Sequence, residues 1–226
     1  AIGVSAISGV AVSQAVYLRC TYSGPLKPTG NVDGRADKGL TGKAVNVLFV
    51  GDSVALGIGA ERAAPMQRAF AACLAQQFGR PVVWKTIGES GADTRMLRSM
   101  VAEIADDEVF DVGVVLCGIN DGKKLFEGRW PLVFRDDLAL LCAEVRRKVP
   151  SGHISVPRIP GYTRAPVLQL WPMKYFIGLC FGTYDHQKLV VSEANGLDSP
   201  TPLLEQLPST SDRHLWSADG VHPSDE

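Results

Sequence analysis

The amino-acid sequence predicts an α/β fold in which a parallel sheet is covered by helices on both faces. Short apolar, β-branched runs alternate four times with segments of helical periodicity, and these runs are continuously apolar. Strands that are apolar on both faces are typical of a parallel sheet between two helix layers. Because strand–helix alternation produces right-handed crossovers between parallel strands, we expect a three-layer α/β/α sandwich.

Four apolar runs are the predicted strands. Each is four to six residues long and lies beside turn-forming residues. They occupy residues 45–50, 81–86, 112–117 and 153–156. A fifth strand is not evident from the sequence.

The segments between these strands have apolar residues at helical spacing and are predicted to be helices. The first helix begins at Pro65 and runs to Phe78, with Gly79 as its stop. The second follows a glycine-rich turn and is capped by Asp93 or Thr94.

The second half of the chain predicts two more helices and a long loop. One helix carries apolar residues at 138, 141, 142 and 145 and ends before Pro150. Residues 157–172 are rich in proline and predict a loop with an apolar lining. Residues 173–194 look helical, with interruptions at Gly178 and Gly182.

The domain prediction is an N-terminal segment over residues 1–44 and one domain over residues 45–226. Residues 1–18 carry no charge, and residues 21–43 are rich in Gly, Pro and polar residues, which is typical of a loop or linker. Residues 1–18 are short for a membrane span, which needs about 20 apolar residues. They are either the end of a membrane anchor or targeting segment, or a helix packed on the domain surface. Membrane association through residues 1–18 therefore stays open, as do export and cytoplasmic residence.

Composition excludes several classes of protein and site. The 226 residues include 23 Lys plus Arg and 24 Asp plus Glu, and this balance argues against a nucleic-acid partner. Five widely spaced cysteines do not form a disulfide framework, and we expect Cys73, Cys117 and Cys142 to be buried thiols. No group of His, Cys, Asp and Glu has metal-ligand spacing, so we expect a site without metal or cofactor.

Chemistry-bearing residues follow the predicted strands, where open parallel sheets bind their ligands. Ser53 follows the first strand, Gly91 the second and Asn120 the third, while Asp219 and His222 lie near the C-terminus. A hydroxyl, backbone and amide N–H donors, and a carboxylate–imidazole pair are the groups that acyl transfer requires.

The residue types predict a role for each of these groups. Ser53 is the predicted nucleophile and His222 its base, because a serine hydroxyl needs a base near neutral pH. Asp219, three residues before His222, can fix the imidazole tautomer. The N–H of Ser53, the N–H of Gly91 and the side-chain amide of Asn120 make a predicted oxyanion hole.

Other polar residues near these positions receive structural interpretations. We interpret His153 as structural and His186 as solvent-facing, while His214 has no aspartate three residues before it. Asp52 is expected to bond local backbone amides, and Asp121 to tie down the loop that carries Asn120.

Taken in order, four sequence blocks resemble the SGNH hydrolases, the GDSL-type esterase and lipase family. They are FVGDSVALGIGA (49–60), IGESGADT (87–94), LCGIND (116–121) and ADGVHPS (218–224). The resemblance implies a flavodoxin-like α/β/α fold and hydrolysis of esters or thioesters. It also implies that Ser53, Asp219 and His222 are the catalytic triad and that Gly91 and Asn120 are oxyanion residues.

Three positions depart from the family pattern. Val54 replaces the fourth residue of the GDSL block, and Thr86 stands where the family often has an asparagine upstream of the glycine block. The family has a closing helix after its histidine block, whereas this sequence ends at Glu226. We therefore expect that helix to be missing and His222 to be held less firmly.

The predicted function is a serine esterase or lipase that acts through an acyl-enzyme intermediate. The apolar loop at 157–172 and the uncharged N-terminus favour acyl lipids or short acyl esters as substrates. A carbohydrate O-deacetylase, a thioesterase or an acyltransferase would use the same triad. An inactive binding module is the alternative of another class.

Overall fold

The computed structural model describes residues 9–10, 12–14, 16–18, 20, 25, 27–159, 164–201 and 212–224. Our expectations for residues 1–8, for residues 160–163 of the apolar loop and for a closing helix after residue 224 lie outside the described residues. The described residues between 9 and 20 are helical. Among the residues described, no helix is long and apolar enough to cross a membrane.

A five-stranded sheet forms the centre of the fold, with strand order β1-β3-β2-β4-β5. Strands β2 to β5 run parallel to one another, and β1 pairs antiparallel with β3. The strands are β1 (Gly34–Ala36), β2 (Val45–Gly51), β3 (Val82–Gly88), β4 (Val112–Leu116) and β5 (His153–Ser155). The four predicted strands are confirmed, with small changes at their ends.

Helices cover both faces of this sheet. They are α1 (Pro65–Phe78), α2 (Thr94–Ala102), α3 (Ile119–Lys123), α4 (Pro131–Lys148) and α5 (Met173–Asn195). Short 3₁₀ turns lie at Leu125–Glu127, Pro166–Leu168 and Asp212–Leu215. Helices α2, α4 and α5 share one hydrophobic core with the sheet, and α1 shares a second core on the other face.

Strand β2 shows why the sheet must lie between two layers. Its side chains alternate, so that Leu48 and Val50 enter the first core while Val47 and Phe49 enter the second. All four are at most 1% exposed. The continuous apolar run therefore produces the three-layer α/β/α sandwich that the sequence predicts.

The predicted helix ends follow local chemistry. Proline occupies the first position of α1, and Gly79 ends that helix in a left-handed conformation with φ 61°. Helix α2 is capped by Asp93, whose carboxylate accepts from the N–H groups of Arg95 and Met96 at 3.1 and 3.2 Å.

The loop prediction for residues 21–43 is wrong at β1, which supplies the fifth strand that was not evident from the sequence. Tertiary contacts with β3 hold this short edge strand in place. Trp84 donates its indole N–H to the Val32 carbonyl at 2.8 Å, and the Asp33 carboxylate accepts the Thr86 N–H at 2.7 Å. A three-residue strand has too little periodicity to be read without those contacts.

Two further expectations are wrong for reasons of packing. Helix α5 continues through Gly178 and Gly182, because buried side chains such as Tyr184 outweigh the roughly 1 kcal/mol that a helical glycine costs. Cys73 is exposed, because the face of α1 that packs on the sheet carries Gln67, Ala71 and Ala75 instead. Cys117 and Cys142 are buried as expected, and burial raises the pKa of each thiol to about 12.

Candidate active site

Ser53 lies in the turn directly after β2, where the carboxyl ends of the parallel strands meet. Glycines allow a close approach at this edge: a Cβ at Gly88 would lie 1.9 Å from the Gly51 carbonyl oxygen. The turn is held by Asp52, whose carboxylate accepts the Val54 N–H at 3.0 Å. As a result, the Ser53 side chain is half-buried at the rim of the sheet.

A chain of hydrogen bonds joins three of the predicted site residues. The Oγ atom of Ser53 lies 3.0 Å from Nε2 of His222. The Nδ1 atom of the same imidazole lies 2.6 Å from Oδ2 of Asp219. Serine and histidine are 169 residues apart in the sequence, so the fold creates this contact. His222 itself is buried, at 8% exposure.

The aspartate and histidine belong to one short loop. A bridge between Trp216 and Pro223 closes it, and the Ser217 N–H donates to the His222 carbonyl at 2.8 Å. Within the loop, Oδ1 of Asp219 accepts from the Ser217 hydroxyl at 2.6 Å and from the N–H groups of Val221 and His222 at 2.9 and 3.0 Å.

These hydrogen bonds decide the charge state of the carboxylate. Burial alone would raise the pKa of Asp219, but the donors from Ser217, His222 and Val221 hold its pKa well below the usual range. Asp219 is therefore ionised beside the imidazole at neutral pH.

Asn120 lies after β4, in the first turn of α3. Its side-chain amide donates to the Asp52 carboxylate and to the Ala92 carbonyl, each at 3.0 Å. Ala92 follows Gly91, which sits exposed in the turn after β3 with φ 85°. One amide therefore ties together the three loops that carry Ser53, Gly91 and Asn120.

A buried ion pair anchors the Asn120 loop to the helices beneath it. Asp121 is fully buried and accepts from both the N–H and the hydroxyl of Thr94, at 3.1 and 2.8 Å. Its other oxygen is paired with Arg129, which also pairs with Asp137. The structure thus gives Asp121 the loop-holding contacts expected from the sequence.

Two lysines near the site were not singled out by the sequence analysis. Lys123 places its ammonium 3.4 Å from Oδ1 of Asn120, and its position three residues later on a helix is a signal that could have found it. Lys188, at 1% exposure, donates to the Cys117 carbonyl at 3.0 Å. It comes from α5, and no sequence spacing could have located it.

Asp52 interacts electrostatically with both lysines. Burial raises its pKa, although the Val54 N–H and the charges of Lys123, Lys188 and His222 act in the opposite direction. It bonds the local Val54 amide, as expected, and the Asn120 side chain in addition.

The remaining candidates lie elsewhere. His153, His186 and His214 are exposed, and His153 lies 3.8 Å from Asp198. Within the part of the chain that the structure describes, no three His, Cys, Asp or Glu side chains are grouped as metal ligands.

Comparison with known families gives this geometry its context. Residues 49–226 match the GDSL-like lipase/acylhydrolase family, a span that includes Ser53, Asn120 and His222. The chain belongs to this family of hydrolases. No curated protein matches the chain.

Solved structures share the fold of this GDSL-family hydrolase. A lipase/acylhydrolase from Enterococcus faecalis superposes with a TM-score of 0.59 at 20% identity, covering 80% of this chain and 87% of that one. A variant of Axe2, an acetyl-xylooligosaccharide esterase from Geobacillus, gives 0.58 at 20% identity, with 83% and 88% covered. The SGNH-hydrolase family esterase AlinE4 gives 0.55 at 19% identity, with 76% and 84% covered. The predicted family and the SGNH hydrolase fold are therefore both confirmed.

Proposed function

We propose that this hydrolase is a serine esterase that cleaves carboxylic esters through an acyl-enzyme intermediate. The observation that carries the proposal is the 3.0 Å contact between Ser53 Oγ and His222 Nε2, with Asp219 on the other side of the ring. A base within hydrogen-bond reach of a hydroxyl, itself oriented by a carboxylate, is the arrangement that activates a serine nucleophile.

The first half-reaction forms the acyl-enzyme. Ser53 Oγ attacks the ester carbonyl carbon while its proton passes to Nε2 of His222. The ionised Asp219 stabilises the imidazolium that results. When the tetrahedral intermediate collapses, the bond to the alcohol oxygen breaks and His222 returns the proton to that oxygen.

The second half-reaction releases the acid. A water molecule gives a proton to His222 and attacks the acyl carbonyl carbon. The bond to Ser53 Oγ then breaks, and the proton on His222 returns to that oxygen. Two easier steps thus replace one difficult hydrolysis.

The proposed oxyanion hole consists of the Ser53 and Gly91 N–H groups and the Asn120 amide. Both hydrogens of that amide have acceptors in the free protein, on Asp52 and Ala92. An oxyanion must therefore share or displace one of these acceptors. A developing negative charge is a stronger acceptor than a neutral carbonyl, so the exchange favours the transition state over the ground state.

Acyl lipids or short acyl esters are the proposed substrates. Gln14 of the N-terminal helix donates to the Trp171 carbonyl at 2.6 Å and so joins that helix to the start of α5. Apolar side chains are exposed on both elements, in a group that we call the apolar face: Val12, Val16, Tyr17, Trp171, Tyr175, Phe176 and Leu179. Exposed apolar and aromatic groups favour contact with acyl chains at a lipid surface.

A loop links this face to the proposed triad. In the segment that leads to Trp171, the Val167 N–H donates to the carbonyl of Gly220, next to Asp219, at 3.4 Å. Replacement of Trp171 by serine should lower hydrolysis of emulsified long-chain esters more than hydrolysis of soluble short ones. The same change at Phe78, an exposed aromatic residue on α1, is the matched control.

Carbohydrate deacetylation is the second candidate, because Axe2 is an acetyl-xylooligosaccharide esterase. A series of 4-nitrophenyl esters from acetyl to palmitoyl separates the two. Rates that peak at acetyl would favour the deacetylase, and rates that rise with chain length would favour the lipid substrate. Product analysis with an added alcohol acceptor distinguishes either hydrolase from an acyltransferase.

The test of the main proposal is Ser53→Ala. Turnover of 4-nitrophenyl butyrate should fall by roughly 10⁴-fold or more, as for other serine nucleophiles. Ser99→Ala, an exposed serine on α2, is the matched control and should retain full activity. A fluorophosphonate probe should label the native protein and leave Ser53→Ala unlabelled. Retained turnover in Ser53→Ala would refute the esterase proposal.

A further inference from the structure

Lys123 differs from Lys124 and Lys85 in what its ammonium contacts. Lys124 pairs with Asp93 at 2.7 Å, and Lys85 pairs with Glu108 at 2.7 Å. Among the residues that the structure describes, the Lys123 ammonium has one hydrogen bond, a long one of 3.4 Å to the amide oxygen of Asn120. No carboxylate of those residues lies within ion-pair distance of it. Lys123 is exposed, so the remaining donors of its ammonium are open to solvent and to a ligand.

The Lys123 ammonium lies next to Asn120, one of the proposed oxyanion residues. Asn120 holds one side of it, and the carboxylates whose charges act on it are Asp52, directly before Ser53, and Asp219 of the triad loop. Desolvation lowers the pKa of Lys123, and these two charges act in the opposite direction.

Both carboxylates already accept hydrogen bonds from other donors. Asp219 Oδ1 already accepts three hydrogen bonds, and its Oδ2 is engaged by the imidazole. Asp52 accepts from Val54 and Asn120. An exposed ammonium next to Asn120, with no carboxylate of the described residues at ion-pair distance, has donors available for an anionic group, and that group can come from a substrate.

We propose that the Lys123 ammonium forms a subsite for an anionic group of the substrate. This group is a carboxylate that lies within a few bonds of the scissile ester. The proposal rests on the esterase function of Ser53 proposed above. It makes Lys123 a specificity-determining residue: an ester that bears a carboxylate is bound and oriented by the ammonium, whereas its neutral counterpart is not.

Two pairs of esters test the subsite, one for each side of the scissile bond. For the acyl side, mono-4-nitrophenyl adipate is compared with its methyl ester. For the alcohol side, 4-acetoxy-3-nitrobenzoate is compared with its methyl ester. The readout in each pair is the ratio of kcat/KM for the anionic ester to kcat/KM for the neutral one.

The native protein should prefer the anionic ester by about tenfold in at least one pair, the gain expected of a charge-assisted contact. Lys123→Met should bring that ratio close to one, and Lys123→Arg should keep most of it. Lys85→Met, which removes a lysine on β3, is the matched control and should keep the native ratio. A native ratio near one in both pairs, or an unchanged ratio in Lys123→Met, would overturn the subsite.

The two proposals fail in distinguishable ways. If none of the four esters is hydrolysed, or if Ser53→Ala hydrolyses them as well as the native protein does, the esterase function is wrong. If the neutral esters are hydrolysed through Ser53 but the ratio does not depend on Lys123, the subsite alone is wrong.

Discussion

The side-chain amide of Asn120 donates a hydrogen bond to the carboxylate of Asp52, the residue immediately before Ser53, at 3.0 Å. This bond fixes one proposed oxyanion donor relative to the turn that carries the proposed nucleophile. We therefore propose that Asp52 is a positioning residue that acts through Asn120, and we expect its contribution to be separable from that of the triad.

Asp52→Ala tests this positioning. Loss of the acceptor lets the Asn120 amide rotate, and small misplacements of catalytic groups cost roughly 10- to 100-fold, so kcat should fall by that amount. KM should change much less. Asp52→Asn, which keeps an acceptor oxygen, should recover part of the rate. Equal kcat in the alanine and asparagine variants, or a change confined to KM, would contradict the positioning role.

Asn120→Ala removes the amide itself. Loss of one oxyanion donor typically lowers kcat about 10²- to 10³-fold, and we expect a loss in this range, measured on 4-nitrophenyl butyrate. Asn195→Ala, at the exposed end of α5, is the control and should leave kcat unchanged. A variant of Asn120 with native kcat would remove this amide from the proposed oxyanion hole.

The lowered pKa of Asp219 predicts that the free energy of unfolding depends on pH. Its pKa in the folded protein is below the unfolded value of about 3.9, so the folded state binds fewer protons. The stabilisation is fully present above the unfolded pKa and is lost as the pH falls through the folded pKa. Asp219→Asn should therefore lower the free energy of unfolding most above about pH 5, and its deficit should shrink below about pH 4. Urea denaturation from pH 7 to 3 measures this, and a constant deficit would contradict it.

A side chain at position 59 should clash with His222. The φ of Gly59 is 95°, and a Cβ there would lie 2.7 Å from the His222 Cβ and 2.9 Å from the Ser217 Oγ. Gly59→Ala should therefore displace His222 and lower kcat severalfold beyond any effect on folding. Gly79→Ala is the matched control, because its φ of 61° is also positive while nothing lies within 4 Å. Similar activity in the two variants would show that backbone strain alone matters.

The proposed subsite has its own pH dependence. Because desolvation lowers the pKa of Lys123, its ammonium should lose its proton at a pH below the ordinary lysine value of about 10.4. The preference for anionic esters should decline between neutral pH and that value. In Lys123→Arg the preference should stay level, since guanidinium remains charged. Ratios of kcat/KM from pH 7 to 10, corrected for spontaneous hydrolysis, measure the effect.

Sequence patterns predicted the strands and helices that are defined by long apolar periodicity. Strand β2 was predictable because its run of apolar residues must face two cores at once. Strand β1 was not, because three residues carry no period and its position depends on Trp84 and Thr86 of a different strand. Continuity of α5 through Gly178 and Gly182 likewise depends on packing that local propensity does not encode.

Some residues of the candidate site could likewise be predicted from the sequence, and others could not. Ser53, Gly91 and Asn120 could be proposed because each follows a predicted strand, and Asp219 and His222 because they share a three-residue spacing. The contacts of Lys188 and Asp52 could not be predicted from the sequence. Lys188 approaches from α5, and Asp52 bonds Asn120, which is 68 residues away in the sequence.

The loop that closes between Trp216 and Pro223 contains both Asp219 and His222, together with most donors that keep the aspartate ionised. The carboxylate and the imidazole are thus held together within eight consecutive residues, while their alignment with Ser53 depends on how this loop packs against the rest of the fold. We therefore expect mild denaturant to separate the 216–223 loop from Ser53, and so to abolish activity, before the sheet unfolds. In directed evolution, residues that pack against this loop can therefore change while the hydrogen bond between Asp219 and His222 stays the same.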